Sequence, residues 1–138
     1  MPRKSATPTQ QGEEKKMNGI YNEDYYRQYD VGVGKVNYLD SQYTKGFLES
    51  IAERIVNDLH PKTVLDAGCA MGHLVAALRD RGVEAYGIDI SEYAISVVRE
   101  DVRPYCAVGS LTDPLPEKLP KKYDLVVTIE VLEHLCAE

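Results

Sequence analysis

Two kinds of hydrophobic pattern follow one another along this chain. Between residues 41 and 59, apolar residues recur at helical spacing and charged residues occupy the opposite side, which predicts an amphipathic helix. His60-Pro61 closes that helix, because the residue before a proline is biased away from helical geometry. From Thr63 onward, short apolar runs alternate with helical patterns. Such an alternation predicts parallel strands joined by crossover connections, and therefore an α/β fold.

Capping residues mark the helices of the alternating part. The helix expected at 72–81 is followed by Gly82, a suitable C-terminal cap. The next helix is expected to begin after Ser91, a suitable N-cap, and to reach about residue 102. Segment 111–122 contains three prolines and is expected to be a loop. The strands between these segments are expected at 63–67, 83–89, 103–108 and 123–129.

The residues before the alternating part form two regions of different composition. Residues 1–18 are polar and lack periodicity, so we expect a disordered tail. Tyr21, Tyr25 and Tyr29 recur every four residues, which predicts one face of a short helix. An aromatic face of this kind packs on the core or covers a ligand, and the two roles are compatible. The expected regions are a tail at 1–18, a tyrosine-rich lid with the amphipathic helix at 19–62, and the core at 63–138.

Composition narrows the possible functions. A chain of 138 residues suits one domain, and no run approaches the roughly 20 apolar residues of a membrane helix. The net charge is −6 and the basic residues are scattered, which disfavours nucleic-acid binding. The three cysteines are odd in number and far apart. They argue against a disulfide framework and favour a reducing, cytoplasmic setting.

Two signals point to a nucleotide-like ligand. The first expected strand leads into a glycine-containing run, D-A-G-C-A-M-G at 66–72, directly before a helix. Glycine lets a ligand approach the backbone, and the start of a helix offers free N–H groups. Asp89 ends the second strand about 20 residues later, where a carboxylate accepts hydrogen bonds from ribose hydroxyls. Alone, each signal also fits a bare turn or a helix cap; together they reinforce each other.

Three segments, VLDAGCAMGHL, YGIDIS and YDLVVTIEVLEHL, resemble motifs I, II and IV of class I S-adenosylmethionine-dependent methyltransferases, in the small-molecule branch. The similarity runs in the same order from about Thr63 to Leu135. It implies S-adenosylmethionine as cofactor and S-adenosylhomocysteine as its demethylated product. It also implies a Rossmann-like parallel sheet of strand order 3-2-1-4 with helices on both faces, behind an N-terminal helical lid. The family's usual strands 5-7-6 are expected to be lacking.

The resemblance also implies roles for single residues. Asp66 is expected near the methionine amino group of the cofactor and Gly68 beneath its methionine portion, while Asp89 holds the ribose. Where the family often has an acid that reaches the adenine amino group, this chain has Ser110. The further expected cofactor contacts are Ala67, Gly72, Ile90, Leu111, Glu130 and Tyr29.

The run Glu130-Val131-Leu132-Glu133-His134 follows the fourth strand, beside the expected site of methyl transfer. Glu130, Glu133 and His134 share one face of a helical turn. We assign Glu130 and His134 as candidate catalytic residues in an acceptor pocket. A capping role is one alternative, and a divalent metal site, as in similar RNA ribose methyltransferases, is another. The expected site contains no metal.

The expected function is methyl transfer from S-adenosylmethionine to an unidentified acceptor, with a small molecule favoured over nucleic acid and no membrane association. One alternative is a non-catalytic domain that binds the same ligands for regulation or assembly. A nicotinamide-dependent oxidoreductase is disfavoured by the D-x-G-x-x-x-G pattern. The fourth strand has an apolar edge without lysine, proline or bulge, which predicts a homodimer through that edge.

Overall fold

The computed structural model of the chain describes residues 19–27, 29–30, 35–36, 42–129 and 131. The expected tail, 1–18, lies outside those residues. None of the described helices has the length and apolar character of a membrane span. In chain order the elements are α1 (Glu23–Arg27), β1 (Tyr29–Asp30), β2 (Lys35–Val36), α2 (Gln42–Arg54), β3 (Thr63–Ala67), α3 (His73–Asp80), β4 (Glu84–Asp89), α4 (Glu92–Ser96), β5 (Cys106–Val108) and β6 (Leu125–Val127).

The central sheet has four parallel strands in the order β5-β4-β3-β6. This order confirms the predicted arrangement of the third, second, first and fourth core strands. The apolar run of β3 fits its inner position, because Val64 and Leu65 are buried on opposite faces of the sheet. Parallel strands end at one common edge, so Ala67 and Asp89 end their strands side by side.

The two faces of the sheet are covered by different structures. On one face, α2 and α3 pack over Val64 and Cys106, and Leu74 and Leu78 of α3 are fully buried there. The core on the opposite face is covered by the loop between β5 and β6, whose Leu119 is buried. Among the described residues, helices lie over one face and the proline-containing loop supplies apolar cover on the other, whereas helices were expected on both faces.

Three predicted bounds differ from the structure for local reasons. The helix predicted to reach about residue 102 ends at Ser96, where the β-branched Val97 and Val98 follow. The third strand is shorter than predicted because Arg103–Tyr105 form a 3₁₀ turn around a proline that cannot donate to the ladder. The amphipathic helix α2 continues as a π-helical turn, Ile55–Leu59, before the left-handed residue at its end.

The helix predicted for the tyrosine stripe is shorter than the stripe. It ends at Arg27, and the backbone of Tyr29 lies in β1, antiparallel to β2. The V-G-V-G run at 31–34 explains this, because glycine disfavours a helix and suits the short connection of a hairpin. The prediction that Tyr29 shares a helical face with Tyr21 and Tyr25 is therefore wrong.

Candidate functional site

The connection between β3 and α3 is a tight loop at the carboxyl edge of the sheet. Three of its residues have positive φ angles: Gly68 at 91°, Ala70 at 47° and Gly72 at 72°. The backbone N–H groups of Gly68 and Cys69 donate to the carbonyl of Ile88, at 2.8 and 3.0 Å. For Ala70 a left-handed backbone costs about 1–2 kcal/mol. Strain of this kind concentrates at functional sites, so the loop is the first candidate for ligand binding.

Asp89 ties this loop to the end of β4. One carboxylate oxygen accepts a hydrogen bond from the backbone N–H of Ala70 and the other accepts one from Ser91, both at 2.8 Å. Burial raises the pKa of the Asp89 carboxyl, and the backbone donors counteract that rise in part. Two carboxylate oxygens offer about four acceptor positions, so these bonds leave room for a ligand's hydroxyl groups.

Asp66 lies near the end of β3 and is only 5% exposed. No residue in the described ranges donates a hydrogen bond to its carboxyl group. Burial, with a smaller contribution from the charge of Asp89, raises the pKa of Asp66 to about 7. A buried carboxylate without a partner is costly, and a cationic group of a ligand is the partner that would relieve that cost.

Val131 closes the loop from the side of β6. A Cβ atom placed on Gly68 would lie 2.2 Å from Cγ2 of Val131. Sequence reasoning named Val131 only as one letter of the E-V-L-E-H run and missed this contact. The position of Val131 after β6 could have indicated the contact. Because β6 neighbours β3 in the sheet, the residues that follow the two strands meet.

The N-terminal tyrosine-rich segment packs at the same edge. Tyr26 of α1 is 4% exposed, shares a buried cluster with Met71, and stacks on Tyr93 with 6.3 Å between ring centroids. The hydroxyl of Ser91 donates to the backbone carbonyl of Tyr21. These contacts place the segment beside Asp89 and the glycine loop. The side chain of Tyr29 lies outside the described residues.

The loop that follows β5 also starts beside Asp89, whose backbone carbonyl accepts a hydrogen bond from Gly109 at 2.9 Å. The Ser110 hydroxyl lies 2.8 Å from that of Thr112 and accepts a hydrogen bond from the Thr112 backbone at 3.2 Å. Leu111 is half-buried against the second core cluster. The expected adenine region is therefore near Asp89, with the serine hydroxyl engaged in a local turn.

The other predicted cofactor contacts fall on the same edge. Ala67 is buried at the end of β3, Gly72 is the N-cap of α3, and the half-buried Ile90 follows Asp89. His73, which sequence reasoning did not single out, is the first residue of α3; burial and the charge of Lys45 lower its pKa.

The candidate catalytic residues Glu130 and His134 lie outside the described residues, as does Glu133. Within the ranges that are described, no three histidine, cysteine, aspartate or glutamate side chains are grouped to hold a metal ion. The capping, acceptor-pocket and metal interpretations of the E-V-L-E-H run all stay predictions.

The parallel sheet thus carries a strained loop at its carboxyl edge, between the buried Asp66 and the half-buried Asp89. Residues 39–136 match the family described as a methyltransferase domain. The chain therefore belongs to that methyltransferase family.

Relatives and solved structures agree with this assignment. A ubiquinone biosynthesis O-methyltransferase of Idiomarina loihiensis is 32% identical over 94 residues, which are 65% of this chain and 37% of that protein. A magnesium-protoporphyrin O-methyltransferase of Synechocystis is 30% identical over 115 residues, 78% of this chain and 50% of that protein. The chain thus spans between about a third and a half of the length of these relatives.

A crystal structure of magnesium protoporphyrin IX methyltransferase from Synechocystis, with SAM bound, superimposes with a TM-score of 0.64 at 24% identity. The match covers 97% of this chain and 67% of that one. At this level of identity the match shows that the two proteins share a fold.

Proposed function

We propose that the chain is the S-adenosylmethionine-binding part of a methyltransferase that methylates an oxygen atom of a small molecule. The observation that carries the proposal is the pair of carboxyl groups, the buried Asp66 and the half-buried Asp89, on either side of the strained glycine loop. Membership in the methyltransferase family supports the reaction class. The named relatives, which are O-methyltransferases of small molecules, support the acceptor.

The acceptor groups at this edge fit the chemistry of the cofactor. Asp89 would accept hydrogen bonds from the ribose hydroxyls with the acceptor positions left by Ala70 and Ser91. Asp66, which lacks a donor among the described residues, would accept the ammonium group of the methionine portion. Gly68 would leave room for that portion over the backbone. The cofactor supplies a sulfonium leaving group, so the protein's task is to orient the acceptor and exclude water.

The remaining roles extend the proposal to the rest of the edge. The tyrosine-rich segment would cover the cofactor, since α1 already packs on the loop through Tyr26 and Met71. Glu130 and His134 would line the acceptor pocket. The further proposed cofactor contacts are Ala67, Gly72, Ile90, Ser110, Leu111, Glu130 and Tyr29.

Calorimetric titration of the chain with S-adenosylhomocysteine, S-adenosylmethionine and NAD tests the proposal. We expect dissociation constants on the order of micromolar for the first two ligands and no binding of NAD. Binding of NAD alone, or of none of the three, would overturn the assignment. Tight binding without methyl transfer by the complete protein would favour a non-catalytic binding domain.

Asp89→Ala is expected to weaken S-adenosylhomocysteine binding by about 10- to 150-fold, because hydrogen bonds to a charged group contribute about 1.5–3 kcal/mol. Asp101→Ala is the matched control, since Asp101 is an exposed acid paired with Arg99 at the surface. The control should bind like the wild type. Equal affinities for all three proteins in calorimetry would remove Asp89 from the site.

We propose that the chain forms a homodimer through the edge of β6 that has no partner strand among the described residues. In the described part of the sheet β6 pairs with β3, and Val126 in its centre is 54% exposed. An apolar strand edge of this kind favours pairing with a second copy. Sedimentation at micromolar concentration should give a dimer for the wild type and a monomer for Val126→Lys, which places a charge on the edge. A monomeric wild type contradicts the proposal.

A cytoplasmic setting completes the proposal. Cys69 and Cys106 are free thiols in the structure, and such thiols persist in reducing compartments.

A further inference from the structure

Two cysteine thiols lie directly beneath the glycine loop, and the proposed function uses neither. Cys69 belongs to the loop and is 5% exposed, and Cys106 begins β5 and is fully buried. Both belong to the same core cluster, and both are free.

Gly87 has no side chain, and this leaves the space in which Cys69 lies next to Cys106. Gly87 of β4 is the register partner of Cys106, so a side chain at Gly87 would point to the same face as that of Cys106. A Cβ atom placed on Gly87 would lie 2.6 Å from Sγ of Cys69 and 2.8 Å from its Cβ. Cys69 therefore occupies the space that Gly87 leaves open next to Cys106.

A disulfide between the two residues would have to meet a defined geometry. Neighbouring strands lie about 4.7–4.9 Å apart. A disulfide joins residues whose Cα atoms are about 4.4–6.8 Å apart. Because Cys69 lies over the strand adjacent to Cys106, formation of the bond requires the loop to shift toward β5.

The surroundings of the two thiols give them unequal acidity. Interaction with Cys106 raises the pKa of Cys69, which burial raises further, and interaction with Cys69 lowers the pKa of Cys106. The positive charges of Lys118 and Arg79 also favour the Cys106 thiolate, whereas Asp66 opposes it. Cys106 is thus the sulfur that ionises first. In the structure the Cys69 thiol donates to the backbone carbonyl of Ala70 at 3.7 Å.

We propose that Cys69 and Cys106 form a reversible disulfide on exposure to a hydroperoxide, and that this bond distorts the glycine loop. The Cys106 thiolate attacks one peroxide oxygen, the O–O bond breaks, and the departing hydroxide takes a proton to leave as water. Cys69 then attacks the sulfur of the resulting sulfenic acid, and a second water leaves. With hydrogen peroxide, two thiols are oxidised and one peroxide is reduced to two waters.

The loop is coupled to Cys69 by its own backbone bonds. Cys69 donates to Ile88 at 3.0 Å and accepts from Gly72 at 2.9 Å, and the next residue, Ala70, donates to Asp89. Moving Cys69 toward Cys106 strains these bonds. If the proposed function holds, the disulfide therefore weakens cofactor binding, and by linkage a bound ligand slows disulfide formation.

The test uses the Cys136→Ala variant, so that this pair is the only one able to react. After treatment with hydrogen peroxide, peptide mapping should recover a Cys69–Cys106 link that dithiothreitol removes. Amide exchange at residues 68–72 should rise in the oxidised form, a readout that requires no ligand. Affinity for S-adenosylhomocysteine should fall by about tenfold or more, within the usual range of coupling between sites.

Cys106→Ala in the same background is the matched control: it should keep the basal affinity and lose the response to peroxide. Absence of the linked peptide, or a linked form whose exchange at residues 68–72 is unchanged, overturns the inference. If the reduced chain fails to bind S-adenosylhomocysteine, the proposed function fails, and the peptide map and amide exchange still decide whether the disulfide forms and distorts the loop.

Discussion

Asp66→Asn is expected to stabilise the ligand-free fold at pH 8 and to weaken S-adenosylhomocysteine binding at the same pH. The Asp66 carboxyl is buried, and its pKa is raised from 3.8 to about 7. The folded state therefore holds this proton more tightly than the unfolded state does. The contribution of Asp66 to stability is most favourable below pH 4, declines as the pH rises toward 7, and is fully lost above it.

The size of this change in stability with pH follows from the shift in the pKa of Asp66. About three pKa units correspond to roughly 4 kcal/mol, as an order of magnitude. Asparagine does not ionise, so the difference in unfolding free energy between variant and wild type should widen by roughly 2–3 kcal/mol from pH 5 to pH 8. Denaturation in urea at both pH values measures it. Affinity should fall about tenfold or more, because a charged partner of the ligand's ammonium is lost.

Asp101→Asn is the control for the Asp66 experiment. Its carboxyl is exposed and its pKa is lowered by the hydrogen bond to Arg99, so no widening in that direction is expected. A pH-independent difference for Asp66→Asn would mean that Asp66 is ionised at no cost in the folded chain. Retained affinity would remove it from the proposed site.

Gly68→Ala is expected to destabilise the fold by at least about 2 kcal/mol more than Gly82→Ala, because overpacking adds to the backbone cost. The two glycines have similar φ angles, 91° and 84°. Both variants therefore place alanine in left-handed backbone, at about 1–2 kcal/mol each. A Cβ on Gly82 meets nothing within 4 Å, whereas one on Gly68 would lie 2.2 Å from Val131.

A double variant separates the cost of a left-handed alanine from the cost of its steric overlap with Val131. Val131→Ala removes the Cγ2 atom that a Cβ on Gly68 would meet, so the pair Gly68→Ala and Val131→Ala should be more stable than additivity predicts. Urea denaturation of the single and double variants gives the coupling energy. Equal losses for Gly68→Ala and Gly82→Ala would show that Val131 moves aside freely.

The positions of the core strands could be predicted from the sequence because apolar runs and capping residues are local signals, whereas the strand order followed from the resemblance to the methyltransferase family. Ser91 illustrates this: it was predicted as an N-cap, and its hydroxyl accepts a hydrogen bond from Ala94 at 3.1 Å. The helix predicted from the tyrosine spacing is longer than the observed one, because the spacing takes no account of the glycines that follow Tyr29. The helix expected to continue beyond Ser96 ends there instead, because the consecutive β-branched residues Val97 and Val98 have weak helix propensity.

At the candidate site, the sequence predicted the common position of Asp66, Gly68 and Asp89, because all three end or follow adjacent parallel strands. Their roles in binding stay predictions. The contact of Val131 with Gly68 and the tether from Ala70 to Asp89 could not be predicted. Each joins residues from separate strands through side-chain and backbone geometry that no local pattern encodes.

The hydrogen bond between Ala70 and Asp89 has a consequence for the entropy of binding. Because the carboxylate fixes the loop before any ligand arrives, the conformational freedom of these residues is removed during folding rather than during association. A ligand that enters a preorganised loop meets a smaller ordering cost, so a modest number of contacts suffices for a given affinity. Loosening that one bond should therefore make binding entropically less favourable even where every ligand contact is kept.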